Sequence, residues 1–201
     1  MKPQELFKTI SPVLLLLAFL NSCNYTSKSV QTVKMDREFH FEDYEISKGR
    51  LGKIKLGTTI QSNTSGIHQM DVKQVPGYTF GYDGGGMAYL YSFKGEPVFA
   101  LLPAFETDSI IAIVAIHEKL KGPKGIHPKM SVKQLQKHYP GSAILFNLMM
   151  EWEEMIDAKN NFSFVFMTEN ADRIGNYTLP GKTASVPLRN LDCKSEWITI
   201  D

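Results

Sequence analysis

Apolar and polar positions divide this chain into a leader, a polar stretch and a patterned body. The first apolar run, Val13 to Leu20, follows a basic start with Lys2 and Lys8 and stops at Asn21-Ser22-Cys23. Eight apolar residues in helical form cover roughly 12 Å against a hydrocarbon core of about 30 Å, so the run is too short to span a bilayer and reads as an export signal. Asn24 to Asp36 is polar and predicts a tether. Glu38 to Ile46 mixes aromatics with acids and suggests an edge strand or an ordered lead-in.

From there the pattern occurs twice. Ile54-Lys55-Leu56-Gly57-Thr58-Thr59-Ile60 is matched 72 residues on by Ile126-His127-Pro128-Lys129-Met130-Ser131-Val132. Each copy places a Thr or Ser where a helix start needs a side-chain oxygen. After Ser131, Val132, Leu135, Gln136 and Tyr139 keep helical spacing until Pro140-Gly141, whereas Ser62 to Gly66 are weak helix formers. Strands are predicted at Met87 to Phe93, Val98 to Leu102 and Asp108 to Ile113 in the first copy, and at Leu148 to Ile156, Phe162 to Met167 and Ser195 to Ile200 in the second. The expected fold is therefore α+β: two tandem repeats, about 50–117 and 122–201, each a helix followed by a three-stranded antiparallel meander, within a domain spanning 37–201. Asn170 to Leu191, with Gly175, Pro180, Gly181 and Pro187, interrupts the second copy as a long loop or irregular hairpin.

The two helix starts, with Gly57 and Met130 each fitting in one copy and Thr58 and Lys129 departing, resemble those of the small lipoprotein of the outer-membrane β-barrel assembly machinery. They also resemble the tandem repeats of β-lactamase inhibitor protein. The resemblance implies a helix-plus-sheet module that binds other proteins and is not a catalyst. Leu20, Ser22 and Cys23 in turn resemble the lipobox of bacterial lipoproteins, with Asn21 a tolerated departure. That resemblance implies a signal peptide over 1–22, acyl chains such as palmitate on Cys23, and a tether over 23–36. Each buried methylene contributes about 0.8 kcal/mol, so one chain binds marginally and several anchor durably. Asn24 is not the aspartate that resembles an inner-membrane retention signal, and Tyr25 to Lys34 holds no acidic cluster resembling a surface-export signal. The expected address is the outer membrane, facing the periplasm.

Removing 1–22 takes away Lys2, Lys8 and Glu5 and leaves 20 basic and 20 acidic side chains. A neutral body has no overall attraction to nucleic acid, so the partners expected are the membrane, through the lipid, and an envelope protein. If Cys23 is acylated, Cys193 has no partner within the chain; a rival reading joins the two in a disulfide.

Candidate chemistry is sparse. Gly84-Gly85-Gly86 lacks the Lys-Ser/Thr and helix start of a phosphate loop and reads as a turn. Tyr89, Tyr91 and Phe93 alternate on one strand face, and Tyr78, Phe80 and Tyr82 alternate nearby. Tyr78, Tyr82, Tyr89 and Tyr91 are accordingly the candidate contacts, for a partner chain or, in the alternative reading, for a glycan or small ligand; buried, the same residues would be cross-strand pairs. Phe162, Phe164 and Phe166 read as core. The five histidines lack zinc spacing, and Glu151, Glu153, Glu154 and Asp157 lack the pattern of a calcium loop and read as a solvated strand face. No Gly-x-Ser-x-Gly occurs, so no catalytic residue, metal or cofactor is expected.

Overall fold

The computed structural model describes residues 39–64, 67, 69–84, 86–177 and 188–201. The leader, Cys23 and the tether lie outside them. Among the described residues the architecture is mostly antiparallel sheet with two short α-helices.

The chain begins with a 3-10 turn at Phe41–Tyr44, where the sequence suggested an edge strand or lead-in, and then a three-stranded sheet of very short strands, β1 (Ile46–Ser47), β2 (Arg50–Leu51) and β3 (Ile54–Lys55). Gly52 closes one of its turns at φ +57, and a Cβ there would lie 2.0 Å from the carbonyl oxygen of Asp43, so only glycine fits. Helix α1 (Ile60–Thr64) follows. Its start is capped by Thr59, whose Oγ1 accepts the N–H of Ser62 at 3.2 Å. Helix α2 (Val132–His138) carries a full capping box, with Ser131 Oγ accepting the Gln134 N–H and the Ser131 N–H donating to Gln134 Oε1.

The main sheet has eight strands: β4 (Asp71–Pro76), β5 (Met87–Phe93), β6 (Glu96–Pro103), β7 (Ile110–Ala115), β8 (Ile144–Asn147), β9 (Trp152–Asp157), β10 (Phe162–Phe166) and β11 (Trp197–Ile200). Their spatial order is β4-β5-β6-β7-β11-β10-β9-β8. Four strands thus run inward from each edge and meet at β7 and β11, where the sequence led us to expect three per half. The strands not foreseen are the edges, β4 and β8. β4 alternates poorly (Asp71, Val72, Lys73, Gln74), and all but one of its residues are exposed, because an edge strand buries little.

Period-two alternation sorts the sheet into two faces. On one, Tyr91, Phe99, Leu101, Ile113, Ile198, Ile200, Phe162, Phe164 and Phe166 form a core with Ile46, Leu51 and Ile54 of the small sheet and with Ile60, Val132 and Leu135 of the helices. The phenylalanines of β10 are fully buried, as their pattern predicted. On the other face, Ala88, Ala100, Leu102, Ala112 and Val114 pack with Phe80, Trp152, Val165 and Trp197. The alanines are the reason this second face can be covered closely. Their short side chains leave room for the ring of Phe80, which meets Trp197 edge-on at 5.5 Å, while Trp152 meets Trp197 at 5.3 Å.

Both helix starts are tied to the sheet in the same way. The N–H of Gly57 donates to Ile110 O, that of Ile110 to Thr58 O, and that of Ile60 to Asp108 O. The N–H of Lys129 donates to Ser195 O, that of Ser195 to Met130 O, and that of Val132 to Cys193 O.

Candidate interaction surface

The cover of the second face is the connection between β4 and β5. Gly77–Phe80 forms a 3-10 turn, not the strand whose alternation the sequence suggested. Its ends are pinned, since the N–H of Gly77 donates to Gly86 O at 2.8 Å and the N–H of Tyr82 to Gly77 O at 3.2 Å. Gly86 thereby serves a turn, and Gly85 lies outside the described residues. Gly81 sits at φ +88, and a Cβ there would lie 2.8 Å from Trp152 Cζ2, so this glycine is demanded both by its backbone and by the indole beside it.

The arrangement sends Phe80 inward and Tyr78 outward, with 67 % of Tyr78 exposed. Tyr82 is half-buried; its hydroxyl donates to Asp201 Oδ1 at 2.9 Å, and burial first, then the Asp201 charge, holds the phenol well above its ordinary value. Close by is the β8–β9 turn, because Gly81 packs against both Trp152 and Met150. In that turn Asn147 Oδ1 accepts the N–H groups of Met149 and Met150, which fixes Leu148 and Met149 outward, Met149 being 71 % exposed. Tyr78, Leu148 and Met149 are thus large apolar side chains held in water on hydrogen-bonded turns. Scattered exposed hydrophobics need no explanation; these three are distinguished by sitting on turns whose backbones are hydrogen-bonded.

The four candidate tyrosines do not form one platform. Tyr78 and Tyr82 belong to the connection over the second face, while Tyr89 packs half-buried against the helix-side core. Tyr91 is corrected outright: it is 0 % exposed, stacked on Phe99 at 4.6 Å, with its hydroxyl buried and unpartnered, and desolvation pushes that phenol up to about 12. A side chain sealed into the core on the strand next to the β4 edge cannot reach a ligand.

The acidic cluster is corrected as well. Glu151 is exposed, but Glu153 is 0 % exposed and Asp157 is buried. Glu153 lies on the helix-side face of β9, where its carboxylate collects four donors: Thr168 Oγ1 (2.7 Å) and Ile174 N–H (2.8 Å) on Oε2, Gly175 N–H (2.8 Å) and the Tyr177 hydroxyl (2.5 Å) on Oε1. Two backbone N–H groups and two hydroxyls thus satisfy the buried carboxylate, which clamps residues 168–177 to the sheet. Burial, reinforced by the bond to Glu153, holds the Tyr177 phenol far above its ordinary value. The strand alternation Glu153, Met155, Asp157 carried the signal that this carboxylate points inward, but its backbone donors come from 21 and 22 residues further on. Asp157 accepts the N–H groups of Lys159 and Asn160 and so caps the β9–β10 turn.

Cys193 has a free, part-buried thiol, pushed up to about 11 by desolvation and then by the charges of Glu153, Glu196 and Asp172. That environment opposes a thiolate nucleophile. An open depression of about 430 Å³ is lined by Glu151, Thr168, Glu169, Asn170, Ala171 and Arg173, with the Arg173 guanidinium stacked 4.0 Å over Phe146. Among the described residues no three His, Cys, Asp or Glu side chains converge as metal ligands, and no helix is long and apolar enough to cross a membrane. No protein family, curated protein or solved structure matches the chain.

Proposed function

We propose that this chain is a lipid-anchored envelope protein, fixed to the outer membrane through Cys23 and facing the periplasm, whose domain is a non-catalytic module that binds another protein. The contact surface in this reading is the pair of turns carrying Tyr78, Leu148 and Met149. The observation that carries it is the exposure of these side chains on turns whose backbones are fixed by Gly86, Gly77 and Asn147. Rigid presentation lowers the entropy lost when a partner docks.

The domain itself we read as two degenerate repeats, each a helix followed by four antiparallel strands. Supporting this, the hydrogen bonds at the two helix starts correspond at a constant shift: 72 residues on the helix side, from Gly57 to Lys129, and 85 on the strand side, from Ile110 to Ser195. The isolated bridges Thr59 with Ser109 and Ser131 with Lys194 obey the same shifts. The β7–β11 pairing does too, since moving by 85 exchanges Ile113–Ile200 with Ile198–Ala115 about the pair Val114–Thr199. Asp108 then corresponds to Cys193, two residues from the match with Ser195 that hydrophobicity alone suggested.

Two measurements test the functional reading. Cells fed labelled palmitate should label the protein, and Cys23→Ser should remove both label and envelope association; unchanged labelling refutes the anchor. A photo-crosslinking residue at Met149 should give one discrete adduct with an envelope protein, lost in Tyr78→Asp. Absence of any adduct, or an adduct indifferent to Tyr78→Asp, refutes the surface.

A further inference from the structure

Although the mature chain is neutral, its charges are segregated. Ile46 to Met70 contains Lys48, Arg50, Lys53 and Lys55 and no acid, and Lys119 to Met150 contains six lysines and no acid. The fold brings both segments to one side. Ile46, Leu51, Ile54 and Ile60 of the first, and Leu120, Ile126, Val132 and Leu135 of the second, pack into the core beneath the same face of the main sheet. Their cations therefore coat the outer surface of that layer. Lys48, Arg50, Lys53 and Lys55 are exposed, as are Lys119, Lys121, Lys124, Lys133 and Lys137. Among the described residues only Lys129 of this set has an acidic partner, Glu196. Glu42, Asp43, Glu45 and Glu118 border the layer, as do Asp108 at the start of α1 and Asp192 beside α2, while Asp71, Glu151, Glu154 and Glu169 lie on the main sheet or on the connections that follow β8 and β10.

We propose that this cationic layer docks on the anionic phospholipid headgroups of the membrane, laying the domain on the bilayer; this rests on the reading of Cys23 as the anchor. The direction of the chain favours a lipid surface over other polyanions. The described domain begins on this layer, where Phe39 packs on Phe41 and Phe93, the ammonium of Lys119 lies over Phe41, and the N–H of Ile46 donates to Lys121 O. Only the 15 residues from Asn24 to Glu38 separate the proposed anchor from Phe39, so even at full extension the layer stays within about 50 Å of the bilayer that carries the acyl chains. Each cation brought to an anionic leaflet strengthens partitioning about fivefold, and the attraction is screened within about 10 Å at 0.1 M salt. Docking leaves the second face, with Tyr78 and Met149, turned toward the aqueous side.

The test uses the full lipidated protein in vesicles, with amine acetylation read residue by residue by mass spectrometry. Lys73, exposed on β4 where its strand partner Leu90 packs on the second face, is the internal reference. In vesicles containing phosphatidylglycerol, Lys53 and Lys121 should be acetylated at least about fivefold more slowly relative to Lys73 than in pure phosphatidylcholine. High salt should abolish the difference, and the combined Lys48→Gln, Arg50→Gln, Lys53→Gln, Lys55→Gln variant should lose the protection of Lys121. Equal rates in both vesicles overturn the inference, as does protection by RNA or an acidic protein in place of the lipid. Failure of the anchor reads out separately: the protein would not float with neutral vesicles, while salt-sensitive flotation with anionic ones would still support the cationic layer.

Discussion

Replacing Glu153 should release the segment that returns over β9. In Glu153→Gln, the shape is kept but one carboxylate oxygen becomes an amide NH2, which then faces two donors in place of an acceptor. Since Ile174 N–H and Thr168 Oγ1 share one oxygen, and Gly175 N–H and Tyr177 share the other, either amide orientation strands one buried backbone N–H, while the hydroxyl beside it can turn to accept from the new NH2. Hydrogen bonds to a charged group contribute about 1.5–3 kcal/mol each, and an unpaired buried donor costs about 1–3 kcal/mol. Allowing for relaxation, the Gln variant should lose about 2–4 kcal/mol and Glu153→Ala about 4 kcal/mol or more, at the upper end for single substitutions. In a domain of this size that is a fall in Tm of about 5–15 °C. Urea unfolding at neutral pH measures the loss, and amide exchange at Ile174 and Gly175 shows where it falls. If the Gln variant stays within about 0.5 kcal/mol of the parent and those two amides keep their protection, the carboxylate does not hold this segment and the reasoning fails.

Ser131→Ala removes the capping box of α2 and should cost about 1 kcal/mol in chemical denaturation, with Thr59→Ala costing less because α1 has only five residues; equal losses would contradict the assignment. Cys193 should react slowly with iodoacetamide at about pH 8 and accelerate as pH approaches its raised pKa of about 11. The sign for stability follows from the raised value. The unfolded thiol ionises first, so the contribution of this group is complete below the ordinary cysteine range and is lost as pH climbs through about 11. Reaction at the rate of a free cysteine near neutrality would sink that expectation.

Local pattern carried much of this fold. Ser131 announced the start of α2 because a helix needs an oxygen there, and the six inner strands were legible as short apolar or aromatic runs bounded by turn residues, since several are buried on both faces. The matching of Ile54 with Ile126 also stood in the sequence. The edge strands were not legible: β4 is almost wholly exposed, and an exposed strand has no hydrophobic pattern to show. Nor was the three-stranded sheet at Ile46–Lys55, whose strands of two residues are shorter than one alternation.

For the candidate surface the division is sharper. Sequence could name Tyr78, Tyr82, Tyr89 and Tyr91 as aromatic and place Tyr89 and Tyr91 on one strand face, but it could not say which side of that strand the helices cover. Packing buried Tyr91, left Tyr78 in water, and set the turn that carries Met149 beside Gly81 through Met150. Composition likewise gave residues 23–201 a net charge of zero without showing that Lys48 to Lys55 and Lys119 to Lys137 share one layer. A charge count is a property of the chain taken one residue at a time. Burial, partners and the grouping of like charges depend on which distant segments meet, and only the tertiary structure decides that.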